Sequence, residues 1–285
     1  MGYQRSAGKV VMVTGFVQGI GRGIADVFAD EGATIVGIDF NREKGPVAIE
    51  ELIAAGAAKD SIFIATDLTK EDQMEHAVKV CEEKWGRIDS FINAAGNSRN
   101  HLITDITWDQ FDYVLKSYLY NVVFMMKHVG RLMLKQEAKG SIVNIGTTNI
   151  YQPYYAYTPY CSAKAAIAMA SKCAALEFAP KVRVNLVSPG LTRTPMTRDF
   201  ISNPAVQEEF VGKIPMGAPC EPKDIGNACY FLCSDEAGSI TGIDLPVDGG
   251  NLLRNYPDVF KACPELMASI GSYADQVKLD KESGK

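Results

Sequence analysis

Nowhere does the chain approach the roughly 20 consecutive apolar residues that cross a bilayer. Its seven cysteines form no CxxC pair and no Cys/His ligand set, so they are expected to be reduced packing residues. Histidine is scarce: His76, His101 and His128 lie far apart without an HExxH pattern, and no metal centre is expected. Dense basic clusters are also missing. With 29 Lys and Arg against 34 Asp and Glu the net charge is -5, which argues against nucleic acid as a partner. The apolar run Val10 to Val13 is shorter than a signal peptide's core, and the loose acylation pattern Met1-Gly2-Tyr3-Gln4-Arg5-Ser6 is read as chance. A cytoplasmic protein without membrane association is expected.

What is present is core-forming material, 47% hydrophobic and 22% charged residues over 285 positions. Apolar runs rich in β-branched residues recur at Lys9 to Thr14, Thr34 to Asp39, Ile62 to Thr66, Asp89 to Ala94, Ser141 to Ile145, Arg183 to Val187 and Ile243 to Val247. Most are continuous rather than alternating, as in strands covered on both faces. Helix-period segments lie between them: Ile20 to Asp30, Asp72 to Trp85, a long one from about Asp109 to Leu134, Ser162 to Glu177 and Pro222 to Cys233. The pattern predicts an α/β fold, a doubly wound, seven-stranded parallel sheet of the Rossmann type with helices on both faces. No repeat, low-complexity tract or linker is visible, so residues 1–250 are read as one domain and 251–285 as a tail. The Pro- and Gly-bearing stretch of about 189–217 is longer than an ordinary loop and is expected to form a substrate lid.

Directly after the first strand stands Thr14-Gly15-Phe16-Val17-Gln18-Gly19-Ile20-Gly21, followed by a helix. Glycines there permit a tight turn and let backbone N–H groups reach a pyrophosphate at the helix N-terminus, where the dipole favours negative charge. Asp39 ends the second strand 18 residues beyond Gly21, the place where an acid accepts hydrogen bonds from a ribose. A carboxylate there repels a 2′-phosphate, and neither Gln18 nor Phe40 supplies a compensating cation, so NAD is expected in preference to NADP. Arg42 is the nearest cation that would reverse that choice. Farther along, Tyr160 and Lys164 are spaced by one helical turn and share a face. A phenol with a pKa near 10 becomes a usable acid/base when an ammonium stabilises its phenolate.

Taken together, Thr14-Gly15-xxx-Gly19-Ile20-Gly21, Asp67-Leu68, Asn93-Ala94-Ala95-Gly96, Tyr160-xxx-Lys164, Asn185 and Pro189-Gly190 resemble the short-chain dehydrogenase/reductase family over nearly all of residues 8–250. The resemblance implies that Gly15, Gly19, Ile20 and Gly21 border the pyrophosphate and Asp39 the adenine ribose. It places Asp67 and Leu68 at the adenine, and Asn93, Ala94 and Gly96 beside the cofactor. Tyr160 would exchange the proton, and Lys164 would hold the nicotinamide ribose and depress the tyrosine's pKa. Pro189, Gly190, Thr192 and Thr194 would clamp the carboxamide.

Two positions depart from the family pattern. Its serine 13 residues before the tyrosine is Thr147 here, which keeps the hydroxyl donor but narrows χ1. Its Asn-Leu-x-Gly aligns with Tyr118-Leu119-Tyr120-Asn121, which puts Tyr118 where the relay asparagine stands. Proton relay then falls to the Tyr118 hydroxyl, to Asn121, or to a backbone carbonyl with water; the last is preferred, since any residue carries a carbonyl.

The expected activity is hydride transfer between NAD and a secondary alcohol or ketone. The alternatives are a dinucleotide-binding sensor or scaffold that has lost efficient chemistry, and an NADP-linked carbonyl reductase. Tyr151, Tyr154, Tyr155 and Tyr157, with Asn149 and Gln152, form a loop expected to overhang the substrate. Thr147, Asn149, Tyr154 and Tyr160 are the expected substrate contacts. Aromatic faces with hydroxyl tips suit a cyclic, sterol-like or sugar-like molecule. His101, Arg193 and Arg198 are further candidates for an acidic substrate. The resemblance also implies a homotetramer, or failing that a dimer, through the helices around Tyr113 to Met126 and Ala163 to Ala175.

Overall fold

A computed structural model describes residues 4–97, 100–253 and 263–265. Seven strands form one parallel sheet in the order β3-β2-β1-β4-β5-β6-β7. They are β1 (Val10–Thr14), β2 (Thr34–Asp39), β3 (Ile62–Ala65), β4 (Ser90–Asn93), β5 (Gly140–Ile145), β6 (Val182–Pro189) and β7 (Asp244–Val247). All seven expected strands are present, β2 with the expected bounds and the others with one or both ends shifted by at most two residues. Every residue of β1, β4 and β5 is buried, so these segments show no alternation of apolar and polar residues; the polar Ser90, Asn93, Ser141 and Asn144 among them are buried as well.

The helices are α1 (Gly19–Asp30), α2 (Lys44–Ala55), α3 (Glu71–Trp85), α4 (Trp108–Leu115), α5 (Asn121–Lys135), α6 (Thr158–Phe178), α7 (Arg198–Ser202), α8 (Pro204–Glu209) and α9 (Pro222–Cys233). Helices α1, α2 and α9 cover one face around Ile24, Phe28, Leu52 and Ile225. Helices α3, α5 and α6 cover the other around Met74, Val122, Met125 and Ile167. Helix α2 is not among the expected helices; Pro46 lies in its first turn, where a missing N–H costs little. Among the described residues no helix is long and apolar enough to cross a membrane.

Three differences from the sequence reading matter for function. The long helix expected over Asp109 to Leu134 is two helices joined by a π-helical turn, Lys116–Tyr120. Helix α6 begins a turn earlier than expected, so Tyr160 stands at its third position and Lys164 at its seventh. The segment 189–217 is not a bare loop: it carries α7, α8 and a 3-10 turn, with Leu191 and Phe200 packed on Val206 and Phe210 in a small cluster of their own. Of the tail, 251–253 and 263–265 are described; its apolar residues Val259, Phe260, Leu266 and Met267 lie outside the described residues.

The chain runs outward from β1 to β3, then returns across β1 to continue from β4 to β7. The connections therefore diverge at the carboxyl ends of β1 and β4, where the sheet leaves a crevice for a ligand.

Candidate active site

At that crevice the two strand ends are tied together. Thr14 Oγ1 donates to Asn93 Oδ1 (2.9 Å) and accepts from the N–H groups of Ala94 and Ala95, each at 3.0 Å. Asn93 is buried, and its Nδ2 finds no acceptor among the described residues. The turn from β1 into α1 needs its glycines: Gly15 and Gly19 have φ of +68° and +61°, and a Cβ on Gly21 would stand 2.2 Å from the Gly15 carbonyl oxygen. Gln18 precedes α1 without capping it through its side chain, and Ile20 follows in the first turn, so the opening N–H groups face the crevice without a side-chain cap.

Asp39 ends β2 half-buried, with Oδ1 accepting from the Asn41 N–H at 3.0 Å; α2 starts later, behind Glu43. Phe40 beside it is 77% exposed. Asp67 folds back on its own turn, accepting from the Thr69 N–H and Oγ1 at 2.9 and 2.7 Å, while Leu68 leans on the core. The segment after β6 closes over the glycine turn. Pro189 ends that strand, the Gly190 N–H donates to the Val247 carbonyl, and Thr192 Oγ1 donates to the Gly190 carbonyl at 3.0 Å. Thr194 shares a hydrogen bond with Thr197 (3.0 Å), and a Cβ built on Gly19 would lie 3.5 Å from the Thr194 methyl. Ser188 Oγ, like Asn93 Nδ2, is buried without a partner among the described residues. Uncapped N–H groups, two orphaned polar atoms and a carboxylate at the end of β2 fit a dinucleotide laid along the strand ends.

The second half of the site is built on β5 and α6. Thr147 follows β5, buried, and its Oγ1 accepts from the Asn149 N–H at 3.2 Å. Lys164 reaches back from α6 to donate Nζ to the Ile145 carbonyl at 2.5 Å, so lysine, threonine and strand end converge. The lysine is buried, and burial pulls its pKa from 10.5 down to about 7. Its Nζ lies 5.8 Å from the Tyr160 ring centroid and 4.7 Å from that of Tyr118. Edge-to-face contacts extend outward: Tyr118 to Tyr160 at 5.2 Å, Tyr160 to Tyr157 at 5.6 Å, Tyr157 to Tyr154 at 5.2 Å. Tyr118 is itself buried, which raises its pKa well above 10.

Several expected contacts go elsewhere. Tyr151 donates its hydroxyl to Asp244 at 2.7 Å and is bound to the end of the sheet instead of overhanging the crevice. Arg193 pairs with Glu221 at 3.0 Å. Asn121 donates to the Ala95 carbonyl at 3.2 Å, so its amide pins α5 to the loop after β4. Asn149 uses its Nδ2 on the Gln152 carbonyl (3.1 Å). One group escaped the sequence reading, the Ile145 carbonyl, which as a main-chain atom leaves no signature; of the tyrosine-rich loop, it is the Tyr157 ring that meets Tyr160 edge-on.

A family profile described as "Enoyl-(Acyl carrier protein) reductase" matches residues 15–251. The chain belongs to the short-chain dehydrogenase/reductase family. It is 36% identical to a 2,5-dichloro-2,5-cyclohexadiene-1,4-diol dehydrogenase of Sphingobium indicum, over 86% of this chain and 97% of that one. It is 33% identical to a 2,3-dihydro-2,3-dihydroxybenzoate dehydrogenase of Bacillus subtilis (86% and 97% covered) and 32% to a 3-oxoacyl-[acyl-carrier-protein] reductase of Thermotoga maritima (86% and 98%). Among solved structures it resembles a short-chain type dehydrogenase/reductase from Mycobacterium ulcerans, with TM-score 0.86, 28% identity and coverage of 91% and 95%. A 7α-hydroxysteroid dehydrogenase complexed with NADH and 7-oxo glycochenodeoxycholic acid gives TM-score 0.81 at 27% identity (87% and 95%). As a member of this family the chain is an oxidoreductase with a nicotinamide cofactor.

Proposed function

We propose that the protein is an NAD-dependent dehydrogenase of a secondary alcohol, working on a cyclic diol or the corresponding ketone. The observation that carries it is the convergence of Tyr160, buried Lys164 and Thr147 at the carboxyl end of β5, beside the dinucleotide crevice. The cofactor supplies a hydride acceptor or donor when bound. The chain's residues do the rest: Tyr160 moves a proton at the substrate oxygen, the Lys164 ammonium favours the phenolate that takes it, and the Thr147 hydroxyl orients the same oxygen. Gly15, Gly19, Ile20 and Gly21 would hold the pyrophosphate end, Thr192 and Thr194 the nicotinamide carboxamide, and Asp39 the adenine ribose, where its charge disfavours a 2′-phosphate. The cyclic substrate is supported by the edge-to-face rings of Tyr154, Tyr157 and Tyr160 and by two relatives named for ring diols. Exposed apolar side chains on α5 and α6 support self-association as a dimer or tetramer.

The test is cofactor reduction by the purified protein at about pH 9, near the phenol's ordinary range, against cyclic diols, sterols, polyols and hydroxy acids, with both cofactors. Turnover with NAD, lost about 10²–10⁴-fold in Tyr160→Phe with NADH binding intact, is expected. A preference for NADP, or dinucleotide binding without turnover on any substrate, would overturn the reading. The second outcome would favour a binding protein whose lysine is covered by Tyr118.

A further inference from the structure

Lys164 carries the charge on which the Tyr160 chemistry depends, yet no opposite charge faces it among the described residues. From β5 it meets the Ile145 carbonyl, from α6 the ring of Tyr160, and from the π turn the face of Tyr118. Burial alone favours the neutral amine, and a neutral amine has no charge to lend a phenolate. Beside the Ile145 carbonyl, whose accepted hydrogen bond also favours the charged form, an aromatic face within about 6 Å prefers the ammonium, and its pull is strongest when water is excluded.

The Tyr118 ring is set in place by several independent features. A Cβ on Gly96 would stand 2.0 Å from Tyr118 Cε1, so the loop after β4 leaves room for the ring only because that position is glycine. The π turn Lys116–Tyr120 is centred on this residue, and a π turn re-phases the side chains around a helix at the cost of poorer hydrogen-bond geometry. Asn121 then fastens the end of the turn to the Ala95 carbonyl. The ring also meets Tyr160 at an interplanar angle of 76°. Because burial keeps Tyr118 a neutral phenol, its face stays electron-rich throughout the working pH range.

We propose that Tyr118 is a positioning residue whose aromatic face holds Lys164 as an ammonium through a cation–π contact, and so fixes the pH range in which Tyr160 exchanges protons. The part concerning Tyr160 rests on the dehydrogenase reading; the part concerning Lys164 does not. This role uses the ring's quadrupole and not its hydroxyl, and it replaces the relay functions weighed for this position from the sequence.

The experiment titrates the Lys164 side chain in the protein without cofactor, following its 13Cε resonance in 13C-lysine-labelled protein and assigning it by its disappearance in Lys164→Met. Tyr118→Phe keeps the ring and is expected to keep the midpoint. Pentafluorophenylalanine introduced at position 118 keeps the volume and inverts the quadrupole, and is expected to lower the midpoint by about one pH unit, tenfold in the proton equilibrium. Should that ring impair folding, 3,5-difluorophenylalanine is expected to shift the midpoint less, in the same direction. Equal midpoints for Phe and the fluorinated rings would overturn the proposal and reduce Tyr118 to a space-filler. In the pH profile of alcohol oxidation, the fluorinated ring is expected to move the acidic limb upward, because a less charged lysine leaves Tyr160 harder to ionise. If Tyr160→Phe retains turnover, the dehydrogenase reading fails while the lysine titration still decides the role of the ring.

Discussion

Burying the Lys164 ammonium costs stability, and that cost has a defined pH dependence. Its folded pKa is pulled down toward 7 while the unfolded chain titrates near 10.5. Below the folded value both states are protonated and the whole penalty of burying an ammonium is present. Between the two values the unfolded chain binds more protons than the folded one, so stability rises with pH, and above 10.5 the penalty is gone. Lys164→Met removes the charge and keeps much of the volume. It is expected to stabilise the fold by about 1–3 kcal/mol at neutral pH, with the gain shrinking toward pH 10, while turnover is lost. Thermal unfolding of both proteins at several pH values measures it; a variant less stable than the parent at pH 7 would show that the ammonium is compensated more fully than burial implies. The residue therefore trades stability for function, as buried ionisable groups at active sites commonly do.

At the scale of elements, the turn from β1 into α1 has no room for a single added methyl group. A Cβ on Gly21 would meet the Gly15 carbonyl carbon at 2.7 Å as well as its oxygen, both backbone atoms that no rotamer change can move aside. Gly21→Ala is expected to push α1 away from the turn, weakening dinucleotide binding at least about tenfold and costing about 1–3 kcal/mol in stability. Fluorescence titration with NADH and a thermal melt check both halves, and an unaltered affinity would mean that the turn gives way without disturbing the N–H groups of α1. This element was legible in advance, because glycine spacing, the preceding apolar run and Asp39 all point to one arrangement. The strands were legible for a similar reason, since burial on both faces writes itself as continuous Val, Ile and Phe. The π turn was not. Val114, Val122, Met125 and Val129 keep a helical spacing across it, and the extra residue alters the phase without breaking the apolar pattern. The identity of Tyr118 marked a departure, but only the three-dimensional register shows its face turned to Lys164. Nor does a sequence show that the lysine is held by the Ile145 carbonyl or that Tyr151 is drawn away to Asp244.

At the scale of the whole molecule, the outward faces of two adjacent helices carry apolar side chains that the subunit's own packing does not cover. Helices α5 and α6 lie side by side on the sheet, and their outward faces carry Val123 and Leu134 on the first, with Tyr120 at the end of the π turn before it, and Met169 and Leu176 on the second. Met169 and Leu176, 61% and 81% exposed, are seven residues apart and therefore on one stripe of α6, with Ala165 and Cys173 between or beside them. An isolated exposed apolar residue needs no explanation, but a stripe shared by adjacent helices marks an interaction surface. The expectation is that two copies bury this face against each other, covering of order 800 Å² on each partner. Light scattering at micromolar concentration should then report a dimer or tetramer, and Met169→Glu with Leu176→Glu should dissociate it without unfolding the subunit, because both side chains point away from the core. The consequence for the site is direct. Helix α6 carries Tyr160 and Lys164 at its start, and the π turn that presents Tyr118 leads straight into α5, so an interface across these two helices braces the elements that set the geometry around the lysine. A monomeric parent would refute the interface, whereas a dissociated double variant that keeps full turnover would separate assembly from the alignment of Tyr118 and Lys164.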